Sequence, residues 1–222
     1  MTPAGPLLIR CVFGIGQNYA RHAKEMGGTL PERPVVFTKN PFCVIPSGEA
    51  IVIPAICHDR EQVDYEGELA IVIGALARDI PKERVSDVIL GYAAANDVSA
   101  RWWQKTGAGG QFARGKGFDT FCPLSPIMPA AAVGNPNALR LTTKLNGQIM
   151  QDSSTSDMIF DVPTLVSELS RATTLLPGTL ILTGTPSGVG TARIPPVYLK
   201  DGDTVEIEIE RVGKVTSPVR KA

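Results

Sequence analysis

The sequence has no net charge, few cysteines and histidines and no long apolar run, and each of these absences excludes a class of function. Lys and Arg together number 22, as do Asp and Glu, and they form no basic block. The chain is therefore not expected to bind nucleic acid or an anionic membrane. No stretch of about 18 apolar residues is present, and no basic region precedes the short apolar run at 7–14, so neither a membrane span nor a signal peptide is predicted. We expect a cytoplasmic protein whose partner is a small molecule.

Cysteine and histidine are too scattered for a zinc site. There are two histidines and no Cys-x-x-Cys pair, and the four cysteines are Cys11, Cys43, Cys57 and Cys122. This usage suits a reducing compartment, and we expect four core thiols. With 222 residues, 43% of them hydrophobic, the chain is long enough to bury a full core. The length favours one domain spanning residues 1–222.

Prolines and turn residues divide the chain into short segments, which favours a β-rich fold with irregular connections. Asn146-Gly147 predicts a hairpin with a type I′ turn. A longer helix is predicted after the candidate N-cap Asp161, with Pro163 in its first turn, and shorter helical segments are predicted at 17–26 and after Pro81. Strands are predicted at 7–13, 35–38, 50–53, 68–73, 88–95, 180–183 and 205–209. The sequence lacks the regular alternation of strand and long helix that a doubly wound nucleotide-binding sheet requires.

Two carboxylates, Glu66 and Glu68, stand directly before an apolar run. In a strand they would point to one face, where both could not ionise cheaply without a cation. Asp97 ends the next apolar segment and Lys116 follows it, so the set predicts a metal-centred active site. An all-carboxylate site suits Mg²⁺ or Mn²⁺. The alternatives are that the Glu-x-Glu pair lines the solvated face of an edge strand and that Lys116 forms a surface salt bridge to Asp119.

His22 is the candidate catalytic base. It lies three residues before Glu25 in the predicted helical segment, so the two side chains share a face. The carboxylate would orient the imidazole, which would take a proton from water. The alternative is a surface salt bridge between helix neighbours. His58 matches no catalytic motif and is predicted to be a loop residue.

The glycine-rich segment 184–190 follows a predicted strand. Thr185 and the backbone N–H groups around it would bind a substrate oxygen, or the segment is only a turn. No Gly-Lys-[Ser/Thr] follows, so it is not a Walker motif.

Six short motifs occur along the chain. They are Asn18-Tyr19-Ala20-Arg21-His22, Phe37-Thr38-Lys39, Asp64-Tyr65-Glu66-Gly67-Glu68-Leu69, Asn96-Asp97-Val98-Ser99-Ala100-Arg101 with Gln104, Lys116-Gly117-Phe118-Asp119-Thr120-Phe121, and Gly184-Thr185-Pro186-Ser187-Gly188-Val189-Gly190. With them, the sequence resembles the fumarylacetoacetate hydrolase family along nearly its whole length. The resemblance implies an α+β, β-rich fold, a mixed β-sandwich roll with few short helices. It also implies that Mg²⁺ or Mn²⁺ is held by Glu66, Glu68 and Asp97.

The resemblance further implies roles for the other motif residues. His22 and Glu25 become a catalytic dyad on a segment that acts as a lid, and Lys116 becomes a catalytic residue that shares the charge of an enolate. Arg101 and Gln104 are expected to face the carboxylate and carbonyl oxygens of a 2-oxo or 2,4-dioxo acid. The resemblance also implies a homodimer.

Three functions compete at this stage. The first is a metal-dependent hydrolase of aromatic catabolism that cleaves a carbon–carbon bond in acylpyruvate- or fumarylpyruvate-type 2,4-dioxo acids, releasing pyruvate and a carboxylic acid. The second uses the same metal site for decarboxylation of oxaloacetate or for isomerisation or tautomerisation of 2-hydroxyhepta-2,4-diene-1,7-dioate. The third is a catalytically inert binding or scaffold protein. The pair of His22 and Glu25 favours hydrolysis, because hydrolysis needs an activated water.

Overall fold

Short strands and a few short helices make up residues 7–222, the part of the chain that this computed structural model describes. The strands, numbered β1 to β15 in chain order, are Cys11–Gly16, Val35–Lys39, Val44–Pro46, Ile51–Ile53, Val63–Asp64, Gly67–Ile73, Ile89–Asn96, Ser99–Ala100, Cys122–Leu124, Met128–Pro129, Arg140–Leu145, Gln148–Ser154, Thr179–Leu182, Thr204–Ile209 and Gly213–Lys221. The α-helices α1 to α4 are Ala20–Glu25, Phe112–Lys116, Ala130–Val133 and Val162–Ser170. Single 3-10 turns lie at Pro41–Cys43, Ala55–Cys57, Thr155–Asp157 and Gly190–Ala192, a longer one lies at Lys82–Asp87, and a π-helical turn spans Trp103–Gly107. The prediction of a β-rich fold with few short helices is confirmed.

The larger sheet brings the candidate site residues to the end of its central strands. Its strand order is β2-β1-β13-β6-β7-β9-β3, with β10 paired to β7. Strand β6 runs antiparallel to both β13 and β7, whereas β1 and β13 are parallel. All seven residues of β6 are buried, which accounts for its near-continuous apolar sequence, because a strand covered on both faces needs no polar alternation. The pairing of Gly67 with Asn96 places the start of β6 beside the end of β7.

A second sheet covers the central strands of the first. Its order is β12-β11-β14-β15-β4, and β11 and β14 pack against β6 and β7. The hairpin between β11 and β12 turns at Asn146, with φ 51°, and Gly147, with φ 81°. Two successive positive φ values are those of a type I′ turn, so this prediction is confirmed. Strands β5 and β8 form a separate two-stranded ladder.

The helix predicted after Asp161 is α4. The Asp161 carboxylate accepts the N–H of Thr164 at 2.9 Å, which caps the helix, and Pro163 lies in the first turn. The helix packs Leu165 and its apolar neighbours into the core. The helical turn predicted after Pro81 is the 3-10 turn at Lys82–Asp87.

Two predicted segments differ from the structure by more than one residue at an end, whereas the other predicted strands agree to within one residue at each end. Strand β1 begins and ends later than the predicted 7–13, because its ladder with β2 continues as far as the pairing of Gly16 with Val35. Helix α1 is shorter than the predicted 17–26. Gln17 has φ 57°, outside the right-handed helical region, so the helix begins only at Ala20.

All four cysteines are free thiols. Cys43, Cys57 and Cys122 are buried as predicted, while Cys11 is only half-buried. Over residues 7–222, none of the helices has the length and apolar character needed to cross a bilayer.

Candidate active site

Glu66, Glu68 and Asp97 meet where β6 and β7 adjoin. Each offers an oxygen atom, and the three atoms lie within 4.8 Å of one another. Glu66 lies just before β6; its N–H donates to Oδ1 of Asn96 at 3.0 Å, and its carbonyl accepts the N–H of Asp97 at 2.9 Å. All three carboxylates are buried. They come together as predicted, and the solvated edge-strand alternative is wrong.

The electrostatics of this cluster fit a divalent cation. Burial raises the pKa of Glu68 well above its ordinary value, and the nearby charges of Asp97 and Glu66 raise it further. Burial acts on Glu66 in the same direction, but the charges of Lys116 and Arg101 outweigh it and lower the pKa of Glu66 to about 2. A cation among these oxygens would offset the burial and the repulsion that raise the pKa of Glu68. Three hard carboxylate ligands are of the type that Mg²⁺ and Mn²⁺ take.

Lys116, the last residue of α2, is part of the cluster. Its ammonium donates to Glu66 and Asp97 at 2.6 Å each and to the hydroxyl of Ser99 at 2.7 Å, so its three N–H groups are all engaged. The side chain is 2% exposed. The surface salt bridge to Asp119 considered from the sequence is therefore wrong.

Lys39, at the end of β2, is a site residue that the sequence reasoning missed. Its ammonium donates to Oδ1 of Asp97 at 2.5 Å and to the carbonyl of Phe121 at 2.7 Å. Burial alone would lower the pKa of Lys39, but the adjacent Asp97 raises it above its ordinary value. Asp97 thus has one ammonium group at each oxygen, since Lys116 bonds to Oδ2. The available signal was the motif Phe37-Thr38-Lys39, in which a lysine ends a strand.

Arg101 binds protein carboxylates as well as lining the site. Its Nε and Nη2 donate to Oδ2 of Asp64 at 2.8 and 2.6 Å, while Nη1 lies 2.6 Å from Oε1 of Glu66 and donates to Oε1 of Gln104 at 3.1 Å. Four of the five guanidinium N–H groups are therefore bonded within the protein. The substrate-binding roles of Arg101 and Gln104 stay predictions.

Asp64 is a second residue that the sequence reasoning did not single out. It is fully buried, and its Oδ1 accepts the N–H groups of Tyr65 at 2.9 Å and Gly190 at 2.8 Å. Its Oδ2 accepts the N–H of Thr191 at 3.0 Å in addition to Arg101. The carboxylate therefore fixes Arg101 to the glycine-rich segment. The signal was its place two residues before Glu66 in the motif.

His22 and Glu25 form the predicted pair. Nδ1 of His22 lies 3.1 Å from Oε2 of Glu25, and the other oxygen of Glu25 accepts the N–H of Gly188 at 2.9 Å. His22 is buried, so a purely surface salt bridge does not describe the pair. His58 lies elsewhere, in the turn after Ala55–Cys57, as predicted for a loop residue.

The backbone of the glycine-rich segment holds the protein's own carboxylates. The N–H of Gly184 donates to Oε2 of Glu68 at 2.7 Å, and Gly188 and Gly190 donate to Glu25 and Asp64. These N–H groups were expected to bind a substrate oxygen, and that expectation is wrong for these three. Gly184 has φ 96°, and a Cβ there would come within 2.8 Å of the Cβ of Asn18, so only glycine fits.

Thr185 is buried beside the carboxylate cluster. Its hydroxyl donates to the carbonyl of Gly67 at 3.0 Å and accepts from the amide of Gln151 at 2.8 Å. The hydroxyl hydrogen is thereby used within the protein. Binding of substrate by Thr185 stays a prediction.

The three clustered carboxylates line one cavity together with His22 and Lys116. The cavity has a volume of about 140 Å³. It is lined by Ile15, Gly16, Gln17, His22, Met26, Phe37, Glu66, Glu68, Asp97, Arg101, Gln104, Lys105, Phe112, Lys116 and Thr185. Trp102 and Trp103 are not among the lining residues, and Trp103 packs against the core. The lining therefore combines carboxylates and cations with an apolar wall, formed by Ile15, Met26, Phe37 and Phe112.

Comparison with known proteins identifies the family of this chain. A family model described as fumarylacetoacetate (FAA) hydrolase C-terminal matches residues 11–220. The chain belongs to the fumarylacetoacetate hydrolase family. It is 45% identical to the solved 5-carboxymethyl-2-hydroxymuconate delta-isomerase from Mycobacterium smegmatis, with a TM-score of 0.84 over 98% of this chain and 81% of that one. The fold implied by the resemblance is thus confirmed.

Several relatives carry the name oxaloacetate tautomerase. The mitochondrial protein fahd2 of Xenopus laevis is 41% identical over 209 residues, which cover 94% of this chain and 65% of that protein. YisK of Bacillus subtilis is 42% identical over 211 residues, which cover 94% of this chain and 69% of that protein. The chain therefore spans less than two thirds of the length of the frog relative. Membership of this family indicates an enzyme.

Proposed function

We propose that this protein is a metal-dependent enzyme that interconverts the enol and keto forms of 2-oxo acids by moving a proton at carbon 3. The observation that carries the proposal is a single cavity lined by His22 and by the cluster of Glu66, Glu68 and Asp97. Such a cavity combines a proton carrier with a site for a cation. The relatives that are named as tautomerases and as an isomerase support a reaction of this type.

The three carboxylates would hold Mg²⁺ or Mn²⁺ at the start of β6. When bound, the cation supplies Lewis acidity, which stabilises negative charge on the 2-oxo oxygen of the substrate. Lys39 and Lys116 bond to opposite oxygens of Asp97 and so fix its orientation while substrate enters. Lys116 also lines the cavity, where its positive charge stabilises an enolate.

His22 is the group that moves the proton. Its Nδ1 is engaged with Glu25, so Nε2 is the atom that exchanges a proton with the substrate. In the direction from enol to keto, the enol hydroxyl gives its proton to solvent water, the carbonyl forms, carbon 3 gains a proton from Nε2 of His22, and Nε2 then regains a proton from solvent. The reaction consumes no net proton.

The carboxylate of the 2-oxo acid would be bound by the remaining N–H of Arg101 and by the amide of Gln104. Both side chains line the cavity beside Glu66. A guanidinium held in place by two carboxylates is pre-oriented, so little conformational entropy is lost when substrate binds.

Hydrolysis of acylpyruvates is the second candidate, and the orientation of His22 by Glu25 favours it. An imidazole held by a carboxylate can accept a proton from water as well as from carbon. In that reaction, water attacks the acyl carbon, the carbon–carbon bond breaks, and the released enolate of pyruvate takes up a proton. Tautomerisation needs the same enolate stabilisation without the attack by water.

The two candidates are distinguished by three measurements on Mn²⁺-loaded protein. Enol loss from oxaloacetate reports tautomerisation, pyruvate release from acylpyruvates reports hydrolysis, and CO₂ release reports decarboxylation. His22→Ala is expected to lower the supported reaction by about 10²-fold or more, the usual scale for loss of a general base. Lys116→Ala is expected to damage all reactions that pass through an enolate, and metal occupancy is measured in each variant.

Rapid enol loss without pyruvate release supports the tautomerase, and the reverse supports the hydrolase. Wild-type rates in His22→Ala would show that the dyad is not the proton carrier. Absence of all three reactions would favour the inert binding protein.

The single catalytic domain over residues 1–222 and the homodimer stay predictions. Sedimentation of one species at the monomer mass would contradict the dimer.

A further inference from the structure

We propose that Lys105 binds a second anionic group of the substrate, so that the preferred substrates are 2-oxo dicarboxylates. This inference rests on the proposed function, in which a 2-oxo acid occupies the cavity. It assigns to Lys105 the role of selecting dianions over monoanions.

The cations that line the cavity differ in how they are engaged. Lys116 has its three N–H groups bonded to Glu66, Asp97 and Ser99, and Arg101 has four of five N–H groups in use. Within residues 7–222, Lys105 makes neither an ion pair nor a side-chain hydrogen bond, and its side chain is exposed. It is therefore the cavity cation of the described chain that is available to an incoming anion.

The charges buried around the cavity accommodate only one carboxylate. Four carboxylates are buried here: Asp64, Glu66, Glu68 and Asp97. Three cations are buried with them: Lys39, Arg101 and Lys116. With a divalent cation bound in the cluster, the net charge of this set would be +1. The carboxylate of a 2-oxo acid neutralises that charge, so a second carboxylate would need another cation to offset the loss of its hydration.

The cavity offers no other cation for it among the described lining residues. Ile15, Met26, Phe37 and Phe112 form the apolar wall, and Gln17 and Thr185 are neutral. His22 is already engaged with Glu25. The second anionic group is therefore expected at the side where Lys105 stands.

Lys105 stands on the same wall as the residues that would bind the first carboxylate. Arg101, Gln104 and Lys105 all line the cavity, and Lys105 belongs to the π-helical turn Trp103–Gly107. Gln104, the residue before Lys105, accepts from Nη1 of Arg101 at 3.1 Å, so the three residues lie at one end of the same cavity. One small diacid in that cavity can therefore contact Arg101 with one carboxylate and Lys105 with the other.

Packing keeps this turn in position. A Cβ at Gly107 would come within 2.5 Å of the ring of Trp102, so the turn closes tightly on that ring. Arg60 also packs on the Trp102 ring, with its guanidinium carbon 4.5 Å from the ring centre. The backbone of Lys105 is also held, because its carbonyl accepts the N–H of Gly110 at 2.6 Å. The lysine therefore extends from an ordered support, and only its own side chain must be immobilised on binding.

The test compares ligands of equal length that differ in one carboxylate. The four-carbon pair is oxaloacetate and 2-oxobutanoate, and the five-carbon pair is 2-oxoglutarate and 2-oxopentanoate. Equilibrium binding to Mn²⁺-loaded protein is measured by calorimetry for wild type, Lys105→Met, Lys105→Arg and the control Lys82→Met. Lys82 is an exposed lysine in the 3-10 turn at Lys82–Asp87, outside the cavity.

Wild type is expected to bind the diacid of at least one pair about tenfold more tightly, the lower end of what a hydrogen bond between charged groups contributes. Lys105→Met is expected to remove this preference and leave the affinity for the monoacid unchanged. Lys105→Arg and Lys82→Met are expected to keep it. Because Lys105 is exposed, the preference is expected to shrink as ionic strength rises.

Equal affinities for mono- and diacids in wild type, or an undiminished preference in Lys105→Met, would overturn the role of Lys105 while leaving the proposed function intact. Failure of every 2-oxo acid to bind the Mn²⁺-loaded protein would overturn the proposed function, and the role of Lys105 with it.

Discussion

Glu25 connects helix α1 to the glycine-rich segment, because its carboxylate accepts the N–H of Gly188 at 2.9 Å while its other oxygen lies 3.1 Å from Nδ1 of His22. One side chain thus orients His22, the proposed proton carrier, and fixes helix α1 to the segment whose Gly184 N–H bonds to Glu68. The two contacts are separable by substitution, because an amide keeps one acceptor oxygen and loses the negative charge.

Glu25→Ala is expected to lower kcat by about 10²-fold, since the imidazole loses its orienting partner and the helix loses its bond to Gly188. Glu25→Gln is expected to retain more activity than Glu25→Ala. Amide hydrogen exchange at Gly188 should be faster in Glu25→Ala than in Glu25→Gln. Glu32→Gln, at an exposed position, is the control. An unchanged kcat in Glu25→Ala would contradict the orienting role.

The stability of the metal-free protein is expected to depend on Glu68. The pKa of Glu68 is raised in the folded state, so the folded protein binds the carboxyl proton more tightly than the unfolded chain does. In the unfolded chain, glutamate has a pKa of about 4.3. The free energy of unfolding should therefore fall as pH rises above about 4.3, until the folded-state pKa is passed. Glu66, with a pKa lowered to about 2, acts oppositely, and its contribution is lost only as pH falls from about 4.3 towards 2.

Urea unfolding in EDTA over a pH series measures this contribution. The side chain in Glu68→Gln cannot ionise. The free energy of unfolding of wild type should therefore fall relative to that of the variant as pH rises above about 4.3. Excess Mn²⁺ should remove the decline in wild type. Parallel pH profiles for the two proteins in EDTA would show that folding does not raise the pKa of Glu68.

Metal binding is expected to stabilise the fold. A cation that binds only the folded protein adds about 2.7 kcal/mol at one hundred times its Kd. Mn²⁺ should therefore raise the Tm of wild type and of the control Asp119→Asn, an exposed position outside the cluster. Asp97→Asn and Glu68→Gln should lose most of this increase. An equal increase in all four proteins would place the cation elsewhere.

The parts of the structure that the sequence predicted are those set by near neighbours in the chain. The turn at Asn146-Gly147 needs only two positive φ values, and the cap at Asp161 needs only the N–H of Thr164 three residues on. The shared face of His22 and Glu25 follows from helical spacing alone. These features required no knowledge of the tertiary fold.

The features that were missed join distant segments. Lys39 reaches Asp97 across 58 positions, and Asp64 accepts the N–H of Gly190 across 126. Both contacts depend on strand pairings, such as the parallel pair of β1 and β13, that no local pattern specifies. The glycine-rich segment was misjudged for the same reason, since the carboxylates that its N–H groups bind come from elsewhere in the chain.

Among the carboxylates outside the cluster of Glu66, Glu68 and Asp97, the charge of Asp64 is expected to contribute most to the free energy of unfolding. It is fully buried and accepts three backbone N–H groups together with two from Arg101. Removing one partner of a buried ion pair costs about 3–5 kcal/mol, and here Arg101 would keep only Glu66 as a carboxylate partner. Asp64→Asn should therefore lower the free energy of unfolding by about that amount.

The matched control is Asp59→Asn, because Asp59 pairs with Arg60 at the surface and both side chains are about half exposed, at 50% and 45%. An exposed pair contributes about 0–1 kcal/mol, so the control should unfold almost as wild type does. Urea unfolding monitored by tryptophan fluorescence measures both variants. The loss in Asp64→Asn should persist in high salt, since a buried pair is poorly screened, and should be accompanied by weaker 2-oxo acid binding because Arg101 is no longer held. A loss below about 1 kcal/mol would mean that the backbone N–H groups alone hold this segment, and that the charge of Asp64 does not position Arg101.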